Sequence, residues 1–227
     1  MAGTTGYVLI PAAGGSARFA AQGWRGPKAA LEITLDGVRQ RMIDHVVARL
    51  PKSLQPVLVV RSEHRDALGG YDQLVLDGPT RGQSDTVLQG LRTLGTRKLV
   101  MVHNCDVLIG TTALDVMLNC EAASIALHHD KDGVNPPPYS YVDSPSWPSQ
   151  YAEKKRISDW AVSGAWCFPF PALLEVACRQ QTKLVSQDEE LYLSGALQNI
   201  RLLGVGCVFT DLGTPEAVEA AGGVIHQ

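Results

Sequence analysis

Two basic side chains stand beside a turn of small residues near the start of the chain. The turn Ala12-Ala13-Gly14-Gly15-Ser16-Ala17 follows the apolar run 8–10, and Arg18 and Lys28 come after it. Because this turn has almost no side-chain bulk, its backbone N–H groups can approach an anion closely. Backbone donors combined with an arginine and a lysine suit a triphosphate. We therefore expect Arg18 and Lys28 to be exposed in an open cleft.

Two familiar phosphate-binding motifs do not fit this segment. A Walker loop needs Gly-Lys followed by Ser or Thr, which Gly26-Pro27-Lys28-Ala29 does not supply. A dinucleotide-binding fingerprint needs G-x-G-x-x-G, which residues 14–19 do not supply either. On its own, a glycine-rich turn after a strand is also compatible with simple packing.

Two aspartates follow apolar segments at points where the chain is expected to turn. Asp106 comes after the buried-strand pattern 100–102, and Asp211 opens the segment 211–215, Asp-Leu-Gly-Thr-Pro. Either could cap a helix, although Thr214-Pro215 already explains the helix start that follows Asp211. Mg²⁺ needs few carboxylates when phosphate oxygens and waters complete its shell, so two aspartates suffice.

The order of these motifs resembles the nucleotidyltransferase (sugar-phosphate pyrophosphorylase-like) superfamily. Its members open with a strand, then A-A-G-x-G-(S/T)-R, then P-K some ten residues later. The resemblance is closest to a small bacterial cytidylyltransferase-like branch tied to capsule and surface-polymer modification, with the pattern R-F-x-x-A-G-Y/W-x-x-P-K-x-x-L. The chain departs from the superfamily at two positions, since Ser16 replaces the usual second glycine and Ala17 removes a hydroxyl that would bond a phosphate.

The resemblance implies roles for further residues. It makes Arg18 and Lys28 triphosphate-binding residues and Asp106 and Asp211 the ligands of a catalytic Mg²⁺. The segment 79–86, which contains Gly82 and Gln83, resembles the part that reads the nucleobase, although it also fits a helix N-terminus.

The acceptor residues are implied by a third motif, E-K-x-x-I-S. Glu153 and Lys154 match its first two positions, and the lysine of the branch reaches the phosphate of the acceptor. Ser163 and Gly164 resemble a small-residue contact with the same substrate. Without the match, residues 152–158 would be interpreted as a solvated basic turn.

Composition excludes several classes of protein. The chain has 227 residues with 45% hydrophobic content, a net charge of −3 and no long basic run, which disfavours nucleic-acid binding. It has no apolar stretch of membrane-spanning length and no signal-peptide pattern. Its five cysteines form no C-x-x-C pair, so a reducing cytoplasm is expected.

Strand and helix patterns alternate through the first half of the chain and predict an α/β fold. We expect a Rossmann-like mixed, mostly parallel sheet with helices on both faces, the GT-A-like nucleotidyltransferase fold of the resemblance. One domain is expected over 1–227, with an NTP-binding half at about 1–110 and an acceptor-binding half at about 111–227. The predicted strands are 8–11, 57–60, 74–76, 98–103, 124–129, 139–142, 163–168 and 202–209. The predicted helices are 41–50, 63–68, 83–94, 172–178, 188–199 and 215–221.

The resemblance implies a Mg²⁺-dependent transfer of NMP, with CTP favoured, from an NTP to a small phosphate- or phosphonate-bearing molecule, with release of pyrophosphate. A homo-oligomer is left open. A glycosyltransferase of related fold is the first alternative, although residues 104–106 carry one carboxylate where such enzymes normally have D-x-D. A non-catalytic nucleotide-sensing module is the second alternative, because Ser16 and Ala17 depart from the motif.

Overall fold

The computed structural model describes residues 5–131 and 138–226. The strands are β1 (Gly6–Pro11), β2 (Glu32–Leu35), β3 (Val38–Arg41), β4 (Leu54–Arg61), β5 (Asp72–Leu76), β6 (Leu99–His103), β7 (Val107–Ile109), β8 (Ser124–His129), β9 (Ser140–Val142), β10 (Tyr151–Glu153), β11 (Trp160–Phe168), β12 (Leu203–Gly206), β13 (Phe209–Asp211) and β14 (Val224–His226). The helices are α1 (Ala17–Ala20), α2 (Met42–Val47), α3 (Gln83–Leu94), α4 (Thr111–Leu118), α5 (Pro171–Leu184), α6 (Leu193–Ala196) and α7 (Pro215–Ala220).

A nine-stranded mixed sheet forms the centre of the molecule. Its main path runs β10-β9-β11-β6-β1-β4-β5, and β8 joins β11 to β12. The pairs β1–β4, β1–β6 and β4–β5 are parallel, whereas β11 is antiparallel to β6, β8 and β9. The carboxyl ends of β1, β4 and β6 therefore meet at one edge, where ligands bind in open α/β sheets. This confirms the predicted fold class.

Helices cover both faces of the sheet because its central strands are apolar on both sides. In β1, Val8 and Ile10 belong to the core shared with α2 and α4, while Leu9 belongs to the core shared with α3 and α5. All three side chains are fully buried. Such continuous apolar runs are typical of parallel strands covered on both faces.

Three predicted elements are wrong. Residues 63–68 were predicted as a helix, but they form only the end of a short 3-10 helix (Ser62–His64) followed by turns. Residues 188–199 were predicted as one helix, but only α6 is helical there. The reason is that the backbone of Leu191 bonds to the region where α3 begins. Its N–H donates to the Arg81 carbonyl (2.7 Å), and its carbonyl accepts from the Ser84 N–H (2.9 Å). The predicted strand 202–209 is two strands, because the chain leaves β8 after β12 and pairs with β7 as β13.

A small three-stranded sheet, β14-β2-β3, was not predicted. Its hairpin turns at Asp36-Gly37, where both residues have positive φ (51° and 77°). Asp-Gly at such a turn is a strong hairpin signal that was available in the sequence. Within the described residues, no helix is long and apolar enough to cross a membrane.

Candidate nucleotide-binding and catalytic site

A cleft of about 690 Å³ opens at the edge where β1, β4 and β6 end. Thirteen of the sixteen predicted site residues line it, while Ser16, Ala17 and Lys154 do not. The lining residues among the predictions are Ala12, Ala13, Gly14, Gly15, Arg18, Lys28, Gly82, Gln83, Asp106, Glu153, Ser163, Gly164 and Asp211.

The turn after β1 forms one wall of the cleft. A β-carbon placed on Gly14 or Gly15 would meet no atom within 4 Å, so the backbone of the turn faces open space. Ser16 has a left-handed conformation with φ 53°, and its Oγ accepts a hydrogen bond from the backbone N–H of Lys28 at 2.6 Å. The serine thus fixes the turn against the Pro-Lys segment and keeps its own hydroxyl hydrogen available for donation.

Lys28 lies in an ion pair with Asp106 that sequence reasoning did not predict. Its Nζ donates a hydrogen bond to Oδ2 of Asp106, and the side chains are 29% and 14% exposed. Burial lowers the pKa of Lys28, but the charge of Asp106 and the hydrogen bond to it, together with the nearby Cys105 and Asp211, outweigh burial and raise that pKa above its usual value. The expected exposure of Lys28 is therefore wrong, whereas Arg18 is exposed as predicted.

Asp211 meets Asp106 across the short β7–β13 ladder. The Leu212 N–H donates to the Asp106 carbonyl at 2.8 Å, and the Gly213 N–H donates to Oδ1 of Asp211 at 2.8 Å. A β-carbon on Gly213 would lie 2.8 Å from Oδ2 of Asp106 and 3.0 Å from Oδ1 of Asp211, so both carboxylates face one small space. Burial raises the pKa of Asp211, and the negative charge of the nearby Asp106 raises it further. The hydrogen bond from Gly213 and the charges of Lys28 and Arg18 lower this pKa, but they do not cancel the rise.

This pair of carboxylates fits a divalent cation that also binds phosphate oxygens. The two oxygens converge on the space beside Gly213, and the ammonium of Lys28 already places a positive charge there. No group of three or more His, Cys, Asp or Glu side chains with metal-binding geometry occurs within 5–131 and 138–226. A Mg²⁺ that keeps several waters and phosphate ligands needs no third carboxylate.

Asn104 joins the two halves of the cleft, and sequence reasoning gave it no role. Its side-chain oxygen accepts from Nε2 of Gln83, and its backbone N–H donates to the Gly164 carbonyl at 2.8 Å. Gly164 has φ 86°, and a β-carbon there would lie 2.9 Å from Nδ2 of Asn104. Gly82, with φ 124°, is equally constrained, because a β-carbon would lie 2.8 Å from the Leu191 carbonyl oxygen.

The predicted acceptor residues lie around the edge strand β10 and around β11. The Glu153 carboxylate accepts hydrogen bonds from the hydroxyls of Ser140 and Ser194. Ser163 is fully buried, with its Oγ 3.1 Å from Nδ1 of His128 and 3.1 Å from Sγ of Cys207. Ser163 and Gly164, the predicted small-residue contact with the acceptor, thus lie at a bulge in β11 between Val162 and Trp166.

Lys154 points at another cleft residue, Tyr192. Its Nζ donates to the Tyr192 hydroxyl at 3.2 Å and lies 5.2 Å from the centre of the same ring. The Tyr192 hydroxyl in turn donates to Glu190. Tyr192 lies in the segment 188–199 that was predicted as helix, and this error hid its place in the cleft.

Comparisons with known proteins identify the family of this chain. A sequence model of the family described as "MobA-like NTP transferase domain" matches residues 8–191. No curated protein sequence matches the chain significantly.

Three of the solved structures that match share the fold over nearly the whole chain. The nucleoside-diphosphate-sugar pyrophosphorylase of Vibrio cholerae RC9 has a TM-score of 0.74 at 20% identity, covering 94% of this chain and 99% of its own. The inositol-1-phosphate CTP transferase of T. maritima has 0.76 at 15%, covering 97% and 95%. The UTP-bound UGPase of Acinetobacter baumannii has 0.71 at 16%, covering 95% and 91%.

Proposed function

The chain belongs to the MobA-like NTP transferase domain family, and from that premise we propose the reaction that this nucleotidyltransferase catalyses. It transfers NMP, with CTP favoured, from an NTP to a small molecule that carries a phosphate or a phosphonate, and pyrophosphate is released. The T. maritima neighbour is named as a CTP transferase acting on inositol 1-phosphate, which supports this substrate class. The resemblance to the capsule branch supports an acceptor that is a precursor of a surface polymer.

One observation carries the proposal: a small-residue turn, an arginine and a lysine share one cleft with two converging carboxylates. The turn offers backbone donors, Arg18 is exposed beside it, and Lys28 lies between the turn and Asp106. Asp106 and Asp211 would hold Mg²⁺, which supplies positive charge to the triphosphate when it is bound. Backbone donors, two basic side chains and a metal site together are the requirements for binding an NTP.

Charge determines the mechanism. The attacking oxygen belongs to a phosphate whose second pKa of about 6 leaves it largely anionic at neutral pH, so no general base is required. A new bond forms between this oxygen and the α-phosphorus of the NTP, and the bond to the bridging oxygen of the leaving pyrophosphate breaks. Arg18, Lys28 and the loop amides align the triphosphate and neutralise the charge that develops on it.

The acceptor enters the cleft from the side opposite the triphosphate. We assign its phosphate to Lys154 and its remaining groups to Glu153, Ser163 and Gly164. To reach that phosphate, Lys154 must leave the Tyr192 hydroxyl, which it contacts in this structure. One domain thus divides its work, with about 1–110 binding the NTP and about 111–227 binding the acceptor. The free thiols of its cysteines fit the proposed cytoplasmic location.

Phosphorus NMR tests the reaction directly. The protein is incubated with Mg²⁺, one NTP from CTP, UTP, dTTP, GTP and ATP, and a panel of small sugar, polyol and amino-alcohol phosphates and phosphonates. The proposal expects equimolar pyrophosphate and an NMP-linked acceptor, with CTP as the best donor. Asp106→Asn should abolish both products, and Asp115→Asn, on an exposed position of α4, should not. Turnover of an NDP-sugar without pyrophosphate would favour the glycosyltransferase, and NTP binding without any product would favour the sensing module.

A further inference from the structure

Tyr139 lines the cleft, but neither the sequence motifs nor the proposed mechanism assigns it a role. It is half-buried and directly precedes β9, which pairs with β10 at the acceptor side of the sheet. Its hydroxyl bonds to the carboxylate of Asp211, one of the two proposed metal ligands. A tyrosine hydroxyl carries its proton at neutral pH, so Tyr139 donates and Asp211 accepts. This contact links the start of β9 to the proposed metal site.

Two aromatic rings fix the direction of the Tyr139 side chain. Its ring lies edge-on to His128 of β8, with centroids 4.9 Å apart, and edge-on to Phe209 of β13, with centroids 5.7 Å apart. The rings of His128 and Phe209 stack on each other at 4.2 Å. Phe209 stands two residues before Asp211 on the same strand, so the packing that holds the tyrosine also places it relative to the carboxylate.

The backbone of Tyr139 is held as well. Its carbonyl accepts a hydrogen bond from the N–H of Lys154 at 2.9 Å, which continues the pairing of β9 with β10 beyond Ser140 and Glu153. Because the main chain and the ring are both held, the hydroxyl reaches Asp211 in a defined position. Such support from packing and hydrogen bonds is what keeps a binding group in a productive geometry.

Different groups hold the two carboxylates of the proposed metal site. Asp106 is held by the ion pair with Lys28, whereas Asp211 accepts from the Gly213 N–H and from the Tyr139 hydroxyl. A carboxylate has about four lone-pair sites, so two hydrogen bonds leave Asp211 able to bind a cation. Carboxylates that bind metals are commonly oriented by such hydrogen bonds, and losing one costs about 10- to 100-fold in metal affinity or activity.

From this arrangement we infer that Tyr139 is a positioning residue of the metal site. Its hydroxyl keeps the carboxylate of Asp211 turned toward the space beside Gly213 that it shares with Asp106. Without this hydrogen bond, a bound Mg²⁺ would also have to fix the carboxylate, which weakens metal binding but removes no contact to the nucleotide. The inference rests on the proposed function and adds a residue outside its motifs to the metal site.

Isothermal titration of CTP in EDTA and in saturating Mg²⁺ tests this role without an acceptor. The ratio of the two Kd values gives the gain in CTP affinity from the metal, and by linkage this gain falls in proportion to the metal affinity of the complex. Tyr139→Phe keeps the ring and its packing and removes the hydroxyl alone. It should reduce the gain by about 10- to 100-fold and leave the Kd for CTP in EDTA unchanged.

Tyr141→Phe is the matched control for a structural effect. It removes a tyrosine hydroxyl two residues along the chain, which donates to Asp130, and Tyr141 does not line the cleft. Because Tyr141 is fully buried, this variant should lose at least as much stability in urea unfolding as Tyr139→Phe. It should nevertheless keep the wild-type gain from Mg²⁺.

The outcomes separate this inference from the proposed function. A wild-type gain in Tyr139→Phe, together with loss of the gain in Asp211→Asn, would overturn the role of Tyr139 and leave the metal site intact. Weaker binding of CTP by Tyr139→Phe in EDTA would mean that the hydroxyl binds the nucleotide, and an equal loss of gain in Tyr141→Phe would mean a general structural effect; either result would overturn the inference. An unchanged gain in Asp106→Asn and Asp211→Asn would refute the proposed metal site, and the inference with it.

Discussion

The ion pair between Lys28 and Asp106 should make Lys28 important for stability as well as for catalysis. Lys28→Met keeps most of the aliphatic stem and removes the charge, which leaves Asp106 unpaired in the space it shares with Asp211. Removing one partner of a fully buried pair costs about 3–5 kcal/mol, and exposed pairs contribute about 0–1 kcal/mol. With side chains 29% and 14% exposed, the pair falls between these limits, so we expect a loss of about 2 kcal/mol.

Urea unfolding with a double-mutant cycle measures this loss. Lys28→Met should lower the free energy of unfolding, and the double variant with Asp106→Asn should recover much of it, since no carboxylate is then left unpaired. Millimolar Mg²⁺ should stabilise Lys28→Met more than the wild type, because a cation at Asp106 and Asp211 replaces the missing charge. Arg18→Ala is the matched control: it removes an exposed charge and should leave stability nearly unchanged.

The two variants Arg18→Ala and Lys28→Met should differ in stability but have a similar loss of turnover. Arg18→Ala and Lys28→Met should each lower turnover by about 10²–10³-fold, because each removes a positive charge from the triphosphate. Equal unfolding free energies for the two variants, or strictly additive effects in the cycle, would refute the reasoning from the ion pair.

Three further predictions concern other parts of the structure. Gly213→Ala should push the carboxylates of Asp106 and Asp211 apart and lower turnover by about 10²-fold. The control Gly206→Ala adds a β-carbon that meets no atom within 4 Å, and it should have no effect. Similar turnover in both variants would contradict the shared carboxylate space. Lys154→Ala should raise the KM for the acceptor and leave the Kd for NTP unchanged, and equal weakening of both would place Lys154 on the triphosphate. Burial lowers the pKa of His103 to about 4, whereas a histidine in the unfolded chain has a pKa of about 6.5. Between these two pH values the unfolded chain binds more protons than the folded one, so the free energy of unfolding rises with pH across that window. His103→Gln should reduce the difference in unfolding free energy between pH 7 and pH 5 by about 2 kcal/mol, and an unchanged difference would exclude His103 as its source.

Local patterns were enough to predict the elements whose sequence and burial agree. Helix α3 and strand β8 have the predicted bounds, because the apolar periodicity of α3 matches its buried face and β8 begins with a continuous buried run over 124–127. The segment around Leu191 shows the opposite case. Its composition favours a helix, but its backbone bonds with Arg81 and Ser84 hold it extended against the start of α3. Such long-range backbone pairing leaves no periodic trace in a single sequence.

In the candidate site too, some features follow from local sequence patterns and others depend on long-range contacts. The turn at 12–17 and the two aspartates could be proposed as site residues because their residue types and order are distinctive. The contact between Lys28 and Asp106 joins residues 78 positions apart, and it depends on strand order that no local pattern encodes. Tyr139, Asn104 and Tyr192 were missed for this reason: each is an ordinary residue in the sequence, and only the sheet brings it to the cleft.

The central claim is that Asp106 and Asp211 hold a metal ion beside the triphosphate. The most direct measurement is the affinity for CTP by isothermal titration, with and without Mg²⁺, in the wild type, Asp106→Asn and Asp211→Asn. The proposed site predicts that Mg²⁺ tightens CTP binding to the wild type and that both variants lose this gain while still binding CTP without the metal. If both variants keep the wild-type gain from Mg²⁺, the two carboxylates do not bind the metal and the proposed site is wrong.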